Sequence, residues 1–482
     1  MAPSTVHKTF VLLSCTFLGL ICGTLYLYLS YSPQLALQLQ YLATNALSIA
    51  LVGSLGVSIT GPLAGLVVDK KGYTAPLCAG GSFIVLGYYV LRRQYTHAYL
   101  SVWLLCGCLF FVGSGSTFIN LACLKCCAVT FPLLRGVATL LPLALYGLLA
   151  MFYSVFALVF YPGDTLGFLR FLIVSLALIF ALCSPLVMLC DRRNFNGSRT
   201  VRLADPVEMA NLRSGSAGKD VNIALKLAFA QSQPGPTEVY GVRLLQSPRF
   251  WLLFLILGAM ASLGQMYIYS VGYMVKALVI RNFELDPVAA ASLSVDMLIQ
   301  NQQQLQVGLL LMTNCIGRLA AGVMGDIITQ TFRRSRAWLL FVPAAGLVCT
   351  QILGQTIAGH EYLGAASMLL GFFYGYTLCI MPTIVGDVFG MENFLGNWGL
   401  VGLAPVIPSF YLTNFFGEVY DSKLTADDSG VYTCILGSHC YRPAFKVGLV
   451  VSFLALFLVG VFNFGDRYLM SRARAERRKL VM

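Results

Sequence analysis

The sequence predicts an all-α membrane protein with twelve transmembrane helices in two halves of six. Two features of the composition support this prediction: 58% of the 482 residues are hydrophobic and only 11% are charged, whereas about 25% of the residues in a soluble domain are charged. The third observation is that apolar segments of about 20 residues, the length needed to cross a bilayer, recur along the chain. This composition excludes a secreted enzyme, a nucleic-acid-binding domain and a disulfide scaffold.

One long polar stretch divides the apolar segments evenly. The first segment is too long for the core of a signal peptide, and no small-residue cleavage site followed by a polar mature sequence is visible. We therefore interpret it as the first helix. The twelve segments lie near residues 8–30, 43–67, 75–91, 98–122, 135–160, 167–190, 250–276, 304–325, 336–357, 362–386, 394–416 and 446–465.

The polar stretch is rich in Arg, Ser, Gly and Pro and defines the domain organisation. We expect an N-terminal six-helix half at 1–190, a cytosolic central loop at 191–248, a C-terminal six-helix half at 249–466 and a basic cytosolic tail at 467–482. Equal halves joined by a polar linker are typical of internally duplicated transporters, whose binding site lies between the halves near the bilayer midplane.

The distribution of basic residues predicts that both termini are cytosolic. With that orientation, 23 of the 32 Lys and Arg residues lie in cytosolic segments, 8 lie on the opposite side, and Arg318 lies inside a span. Lys and Arg accumulate on the cytosolic side of membrane proteins. The lipid bilayer is the first partner that the sequence predicts.

The same orientation places Cys434 and Cys440 in a loop outside the cytosol, at 421–441, where cysteines can oxidise. The other thirteen of the fifteen cysteines lie in or beside apolar runs, where a thiol behaves as a small hydrophobic group. We expect a disulfide between Cys434 and Cys440; the alternative is a pair of loop thiols.

A glycine-rich motif with charges follows the second apolar segment. It reads Gly61-Pro62-Leu63-Ala64-Gly65, then three apolar residues, then Asp69-Lys70-Lys71-Gly72. Glycines let a helix approach its neighbour closely, and the charges can pair with the ends of adjacent helices. A degraded copy at 317–326 begins Gly317-Arg318 and ends Gly325-Asp326.

The two copies resemble the loop signature of the major facilitator superfamily, Gly-x3-Asp-Arg/Lys-x-Gly-Arg/Lys, with Tyr73 in place of the final base. The resemblance implies the major facilitator fold and a gate at the cytosolic ends of the helices. The alternative is that these are ordinary capped helix ends with inside-positive charge. The expected gate residues are Gly65, Asp69, Lys70, Gly72, Gly322, Asp326, Arg333 and Asp387.

A narrower resemblance rests on three stretches: the fifth segment, the run at 317–326 and the loop before the twelfth segment. The fifth segment opens with Arg135-Gly136 and contains Leu141-Pro142 and Tyr146-Gly147; Tyr420-Asp421 precedes the two loop cysteines. These stretches are similar to those of fungal monocarboxylate-transporter homologues and plant nodulin-like carriers. The resemblance implies secondary transport of a small solute, a monocarboxylate or another organic anion, across the vacuolar membrane.

Arg318 is the charge that most needs an explanation, because a charge inside the bilayer costs at least a few kcal/mol. One interpretation is an anion site, since a guanidinium binds a carboxylate through two hydrogen bonds. The other is that Arg318 reaches toward the cytosol and pairs with Asp387 or Asp69. Animal monocarboxylate porters carry an arginine in helix 8, with an aspartate one turn earlier where this chain has Asn314.

The acidic residues leave the coupling mechanism open. No Asp or Glu lies well inside an apolar segment, and proton coupling needs a titratable group on the pathway. Proton symport through an end acid, with Asp387 the first candidate, therefore competes with facilitated diffusion or exchange. Polar side chains that could line the path, or merely bond neighbouring helices, are Arg318, Asn314, Gln265, Tyr267, Asn120, Tyr374 and Tyr376.

The sequence offers no catalytic residue, cofactor site or metal site. The four histidines lie outside the helix interiors, and Cys123, Cys126 and Cys127 lack a second pair of ligands. We expect a monomer whose partners are the bilayer and a small solute, with no nucleic acid. The rival function is a transporter-like membrane sensor that binds the solute without net flux.

Overall fold

The computed structural model describes residues 5–28, 43–97, 101–131, 138, 141–143, 152–153, 156, 160–161, 164–203, 241–285, 295–357, 359–390, 393–426 and 432–481. Within these residues, 11 helical spans are long and apolar enough to cross a membrane. They coincide with eleven of the predicted segments, and the all-α prediction is confirmed. Most of the fifth segment, 135–160, lies outside the described residues.

The N-terminal part consists of long helices grouped around one central helix. Helix α4 packs against α1, α2 and α3, and α1 also packs against α5. The helices are α1 Thr5–Cys22, continued by a 3-10 turn at Gly23–Leu27, α2 Ala43–Lys71, α3 Thr74–His97, α4 Val102–Thr130 and α5 Thr165–Leu203.

In the C-terminal part, α8 packs against α10, and α7 packs against both α12 and α13. Short 3-10 helices at Arg336–Leu340, His360–Tyr362 and Gly437–Cys440 precede α9, α10 and α13. The helices are α6 Val242–Leu245, α7 Pro248–Leu285, α8 Val295–Gln330, α9 Phe341–Thr356, α10 Leu363–Phe389, α11 Phe394–Val401, α12 Val406–Asp421 and α13 Arg442–Val481.

The eleventh predicted segment is not one continuous helix. Helices α11 and α12 are separated by a tight turn at 402–405, in which Leu403 N donates to Leu400 O at 3.2 Å. Pro405 explains the break, because proline has no N–H and its ring clashes with the preceding turn of a helix.

The loop between α12 and α13 is compact. It contains a disulfide between Cys434 and Cys440, and both cysteines are fully buried. Two two-residue strands, β1 Thr425–Ala426 and β2 Tyr432–Thr433, pair antiparallel in the same loop.

Candidate functional site

Arg318 lies between the two parts of the chain. It is 4% exposed and stands on α8, 12 residues before Gln330, or about 18 Å along the helix axis. Its Nε donates to Asn314 Oδ1 at 2.9 Å, and its Nη1 donates to the backbone carbonyl of Leu143. Because Leu143 belongs to the N-terminal half, this guanidinium links the halves at a depth near the middle of the bundle.

Helix packing fixes this segment of α8 in place. A Cβ on Gly317 would stand 2.0 Å from Phe372 O, and a Cβ on Gly375 would stand 2.2 Å from Asn314 O. Atoms at such distances clash, so only glycine allows α8 and α10 to approach this closely. The residues on either side of the proposed anion site are therefore held by backbone contact rather than by flexible side chains.

The two acids that one interpretation paired with Arg318 have other cationic partners. Asp69 is paired with Lys125. Asp387 accepts two hydrogen bonds from Arg336 Nη1, at 2.6 and 2.9 Å. The hydrogen bonds of Arg318 to Asn314 and Leu143 place its guanidinium in the interior instead.

The other predicted pathway residues have contacts of their own within the bundle. Tyr267 is fully buried and its hydroxyl bonds to Ser367 Oγ at 2.8 Å. The Tyr376 hydroxyl donates to Met324 Sδ at 3.7 Å, and the Tyr374 ring packs at Gly264. Gln265 is half-buried, and Asn120 Oδ1 is buried without a hydrogen-bond partner among the described residues.

One end of the bundle carries Lys70 and Lys71 and is called the basic end below; it corresponds to the predicted cytosolic side. There α2 meets α11 across the two halves. A Cβ on Gly65 would stand 2.2 Å from Leu395 O. The adjacent carboxylate of Asp69 accepts from Gly396 N at 2.9 Å, at the N-terminus of α11, where a negative charge is stabilised by the helix dipole.

The turn at the end of the motif requires glycine at position 72. Its φ is +84°, and a Cβ there would stand 2.4 Å from Asp191 Oδ1. The same carboxylate accepts from Thr74 N at 3.1 Å and from Thr74 Oγ1 at 2.8 Å, and so caps the start of α3. Lys70, in contrast, is exposed.

Near the degraded copy of the motif, Arg336 forms two ion pairs for which the sequence predicted no partner. Its Nη2 lies 3.2 Å from Asp326 Oδ1 and its Nη1 lies 2.6 Å from Asp387 Oδ2. Arg333, which the sequence favoured, is exposed. Gly322 is buried within α8. The available signal for Arg336 was its position as the base at the start of the ninth apolar segment.

The halves also touch away from the basic end. Ser54 Oγ on α2 and the Tyr269 hydroxyl on α7 lie 2.6 Å apart. Ser54 stands 17 residues before Lys71, or about 25 Å along the helix. The halves are thus bridged at the basic end, at Arg318 and toward the opposite end.

Comparison with known proteins gives related sequences over nearly the whole chain. The nodulin-like family model matches residues 8–207. The uncharacterized membrane protein YMR155W of Saccharomyces cerevisiae is 26% identical, over 97% of this chain and 96% of its own length. A protein of Wickerhamomyces anomalus named "Probable transporter MCH1" is 24% identical, over 85% of this chain and 78% of its own length.

The solved structures show the fold. The proton:xylose symporter XylE, of the major facilitator superfamily, superimposes with a TM-score of 0.60 at 13% identity, over 95% of this chain and 96% of its own. The major facilitator fold and the resemblance to nodulin-like carriers and the fungal homologues are confirmed. The Wickerhamomyces anomalus relative is named a probable transporter and XylE a symporter, and neither is an enzyme.

Proposed function

We propose that this membrane transporter of the major facilitator fold, which resembles nodulin-like carriers and the fungal homologues, carries a small organic anion by alternating access. The observation that carries the proposal is Arg318, a buried guanidinium on α8 whose hydrogen bond to Leu143 joins the two halves. A monocarboxylate as the substrate and the vacuolar membrane as the location are parts of the proposal that rest on the resemblance.

The chemistry of Arg318 suits an anion. Arginine stays protonated at any physiological pH, and its planar fork matches a carboxylate. Two of its acceptors, the Asn314 amide oxygen and the Leu143 carbonyl, are neutral. A substrate carboxylate could replace the Leu143 carbonyl at Nη1, because a charged acceptor forms a stronger hydrogen bond with a guanidinium than a neutral one does.

That replacement would connect binding to movement. Transporters of this architecture rock one half against the other around a central site. An anion that takes Nη1 from Leu143 removes a bond between the halves at the centre. The bond of Asp69 to Gly396 at the basic end and that of Ser54 to Tyr269 toward the other end would then open in turn.

Proton coupling has limited means in this chain. Within the described spans, each acidic residue lies within about one helical turn of a span end. Asn314 occupies the position one turn before Arg318 and cannot carry a proton. Facilitated diffusion or exchange therefore competes with symport through an end acid such as Asp387.

Uptake into liposomes tests the proposal. The purified protein would be reconstituted and the uptake of labelled pyruvate, lactate and acetate followed with and without an inward proton gradient. We expect saturable uptake that is strongly weakened in Arg318→Gln, less weakened in Arg318→Lys and unchanged in Arg170→Gln, an exposed arginine of α5. Stimulation by the gradient would indicate symport, and no stimulation would indicate facilitation or exchange.

Two results would contradict the proposal. Equal uptake by the native protein and a folded Arg318→Gln variant would remove Arg318 from the site. Saturable binding of an anion to the native protein without any flux would instead indicate a sensor.

A further inference from the structure

An apolar groove lies on the outer surface at the basic end of the C-terminal half. Its volume is about 470 Å³. Ile327 and Phe332, on its wall, are 47% and 66% exposed, like the apolar side chains on the outer faces of the other spans. The lining residues are Met324, Ile327, Ile328, Phe332, Arg334, Trp338 and Leu339.

The mouth of the groove is positively charged. Arg334 lines it, and its neighbour Arg333 is exposed. Among the described residues neither arginine forms an ion pair, whereas Arg336 is engaged by Asp326 and Asp387. Arg333 adopts φ +50°, and in this turn Arg334 N donates to Ile328 O at 3.1 Å, which fixes the two arginines next to the apolar wall.

Trp338 marks the depth of the groove in the membrane. Its ring packs 5.7 Å from the Phe341 ring and 5.6 Å from the Phe464 ring of α13. Tryptophan is enriched at the level of the lipid headgroups. The groove therefore extends from a charged mouth at headgroup level to an apolar floor at the level of the acyl chains.

We propose that this groove binds an anionic glycerophospholipid of the adjacent leaflet. One acyl chain would lie on Met324, Ile327 and Phe332, and the phosphate would be bound by Arg333 and Arg334. A zwitterionic lipid fits the apolar floor but lacks the net charge, and a soluble phosphate ester lacks the chain. Attraction of anionic lipid by basic residues near the surface corresponds to about a five-fold gain in affinity for each arginine.

Lipid retention and thermal stability test the proposal. Native mass spectrometry of the purified full chain would compare bound phosphatidylserine with phosphatidylcholine, and the Tm would be measured with each lipid added. We expect preferential retention of phosphatidylserine and a Tm increase with it. The double variant Arg333→Gln/Arg334→Gln should bind phosphatidylserine about 25-fold more weakly. Its preferential retention and the Tm increase should diminish accordingly.

Two further variants separate the contributions of charge and shape. Met324→Trp fills the groove without changing charge and should abolish retention of the lipid. Arg93→Gln/Arg170→Gln removes two exposed arginines at the other end of the bundle and should leave retention unchanged. The glutamine variant is used only if it is folded, as judged by size-exclusion chromatography. If it is misfolded, retention of phosphatidylserine by Met324→Trp and by the charge-preserving Arg334→Lys tests the proposal instead.

Three outcomes would overturn the proposal. They are equal retention of both lipids by the native protein, equal retention of phosphatidylserine by native protein and Met324→Trp, and full stabilisation by glycerophosphoserine, which has the headgroup and no chains. None of these readouts depends on transport, so they remain informative if the chain moves no anion.

Discussion

Substitution of Gly72 by alanine tests whether the turn after α2 depends on glycine, as its geometry indicates. At φ +84° an L-residue is strained by about 1–2 kcal/mol. The new Cβ would also stand 2.4 Å from Asp191 Oδ1, so that carboxylate must move away from Thr74. Loss of a helix cap costs about 1 kcal/mol. We therefore expect Gly72→Ala to lower the free energy of unfolding by about 2–3 kcal/mol.

The assay is unfolding in mixed micelles followed by tryptophan fluorescence. Gly417→Ala is the matched control, because a Cβ at Gly417 meets nothing within 4 Å and alanine favours a helix over glycine by about 0.5–1 kcal/mol. The double variant Gly72→Ala/Asp191→Ala should lose less than the sum of the two single losses, because both remove the same cap. Equal stability of Gly72→Ala and Gly417→Ala would refute the reasoning.

Three further predictions concern charge, oxidation and topology. Arg336→Gln should lower the free energy of unfolding by about 1–3 kcal/mol, because it removes charged hydrogen bonds to two acids, whereas Arg93→Gln at an exposed site should be neutral in the same unfolding assay. Reduction of the disulfide between Cys434 and Cys440, six residues apart in sequence, should cost about 2 kcal/mol and lower the Tm in dithiothreitol; an unchanged Tm would contradict a stabilising role. The sequon at Asn196 should carry no glycan if the central loop is cytosolic, so a glycosidase-sensitive shift in mobility would invert the predicted topology.

The helices were predictable from the sequence because apolar segments of spanning length recur along the chain. Length and apolar character define a spanning segment, and the eleven spans among the described residues lie where they were expected. The break between α11 and α12 was missed because an apolar run containing Gly402 and Pro405 has the same mean character as an unbroken one. Only the local loss of a backbone donor distinguishes them.

The candidate site was predictable in its residue types and not in its contacts. Arg318 stood out as a charge in an apolar segment. Its acceptor Leu143 is 175 residues away in sequence, and Gly396, which donates to Asp69, is 327 residues away. A backbone carbonyl or N–H has no sequence signature, so such partners become visible only when the helices are packed together.

The central claim is that Arg318 recognises the negative charge of the substrate, and the most direct measurement is the concentration dependence of uptake for lactate and for its neutral amide. A hydrogen bond to a charged group contributes about 1.5–3 kcal/mol, so Arg318→Gln should raise the KM for lactate about 10- to 150-fold and leave the weaker uptake of the amide unchanged. An equal change for both compounds, or none for lactate, would contradict the claim.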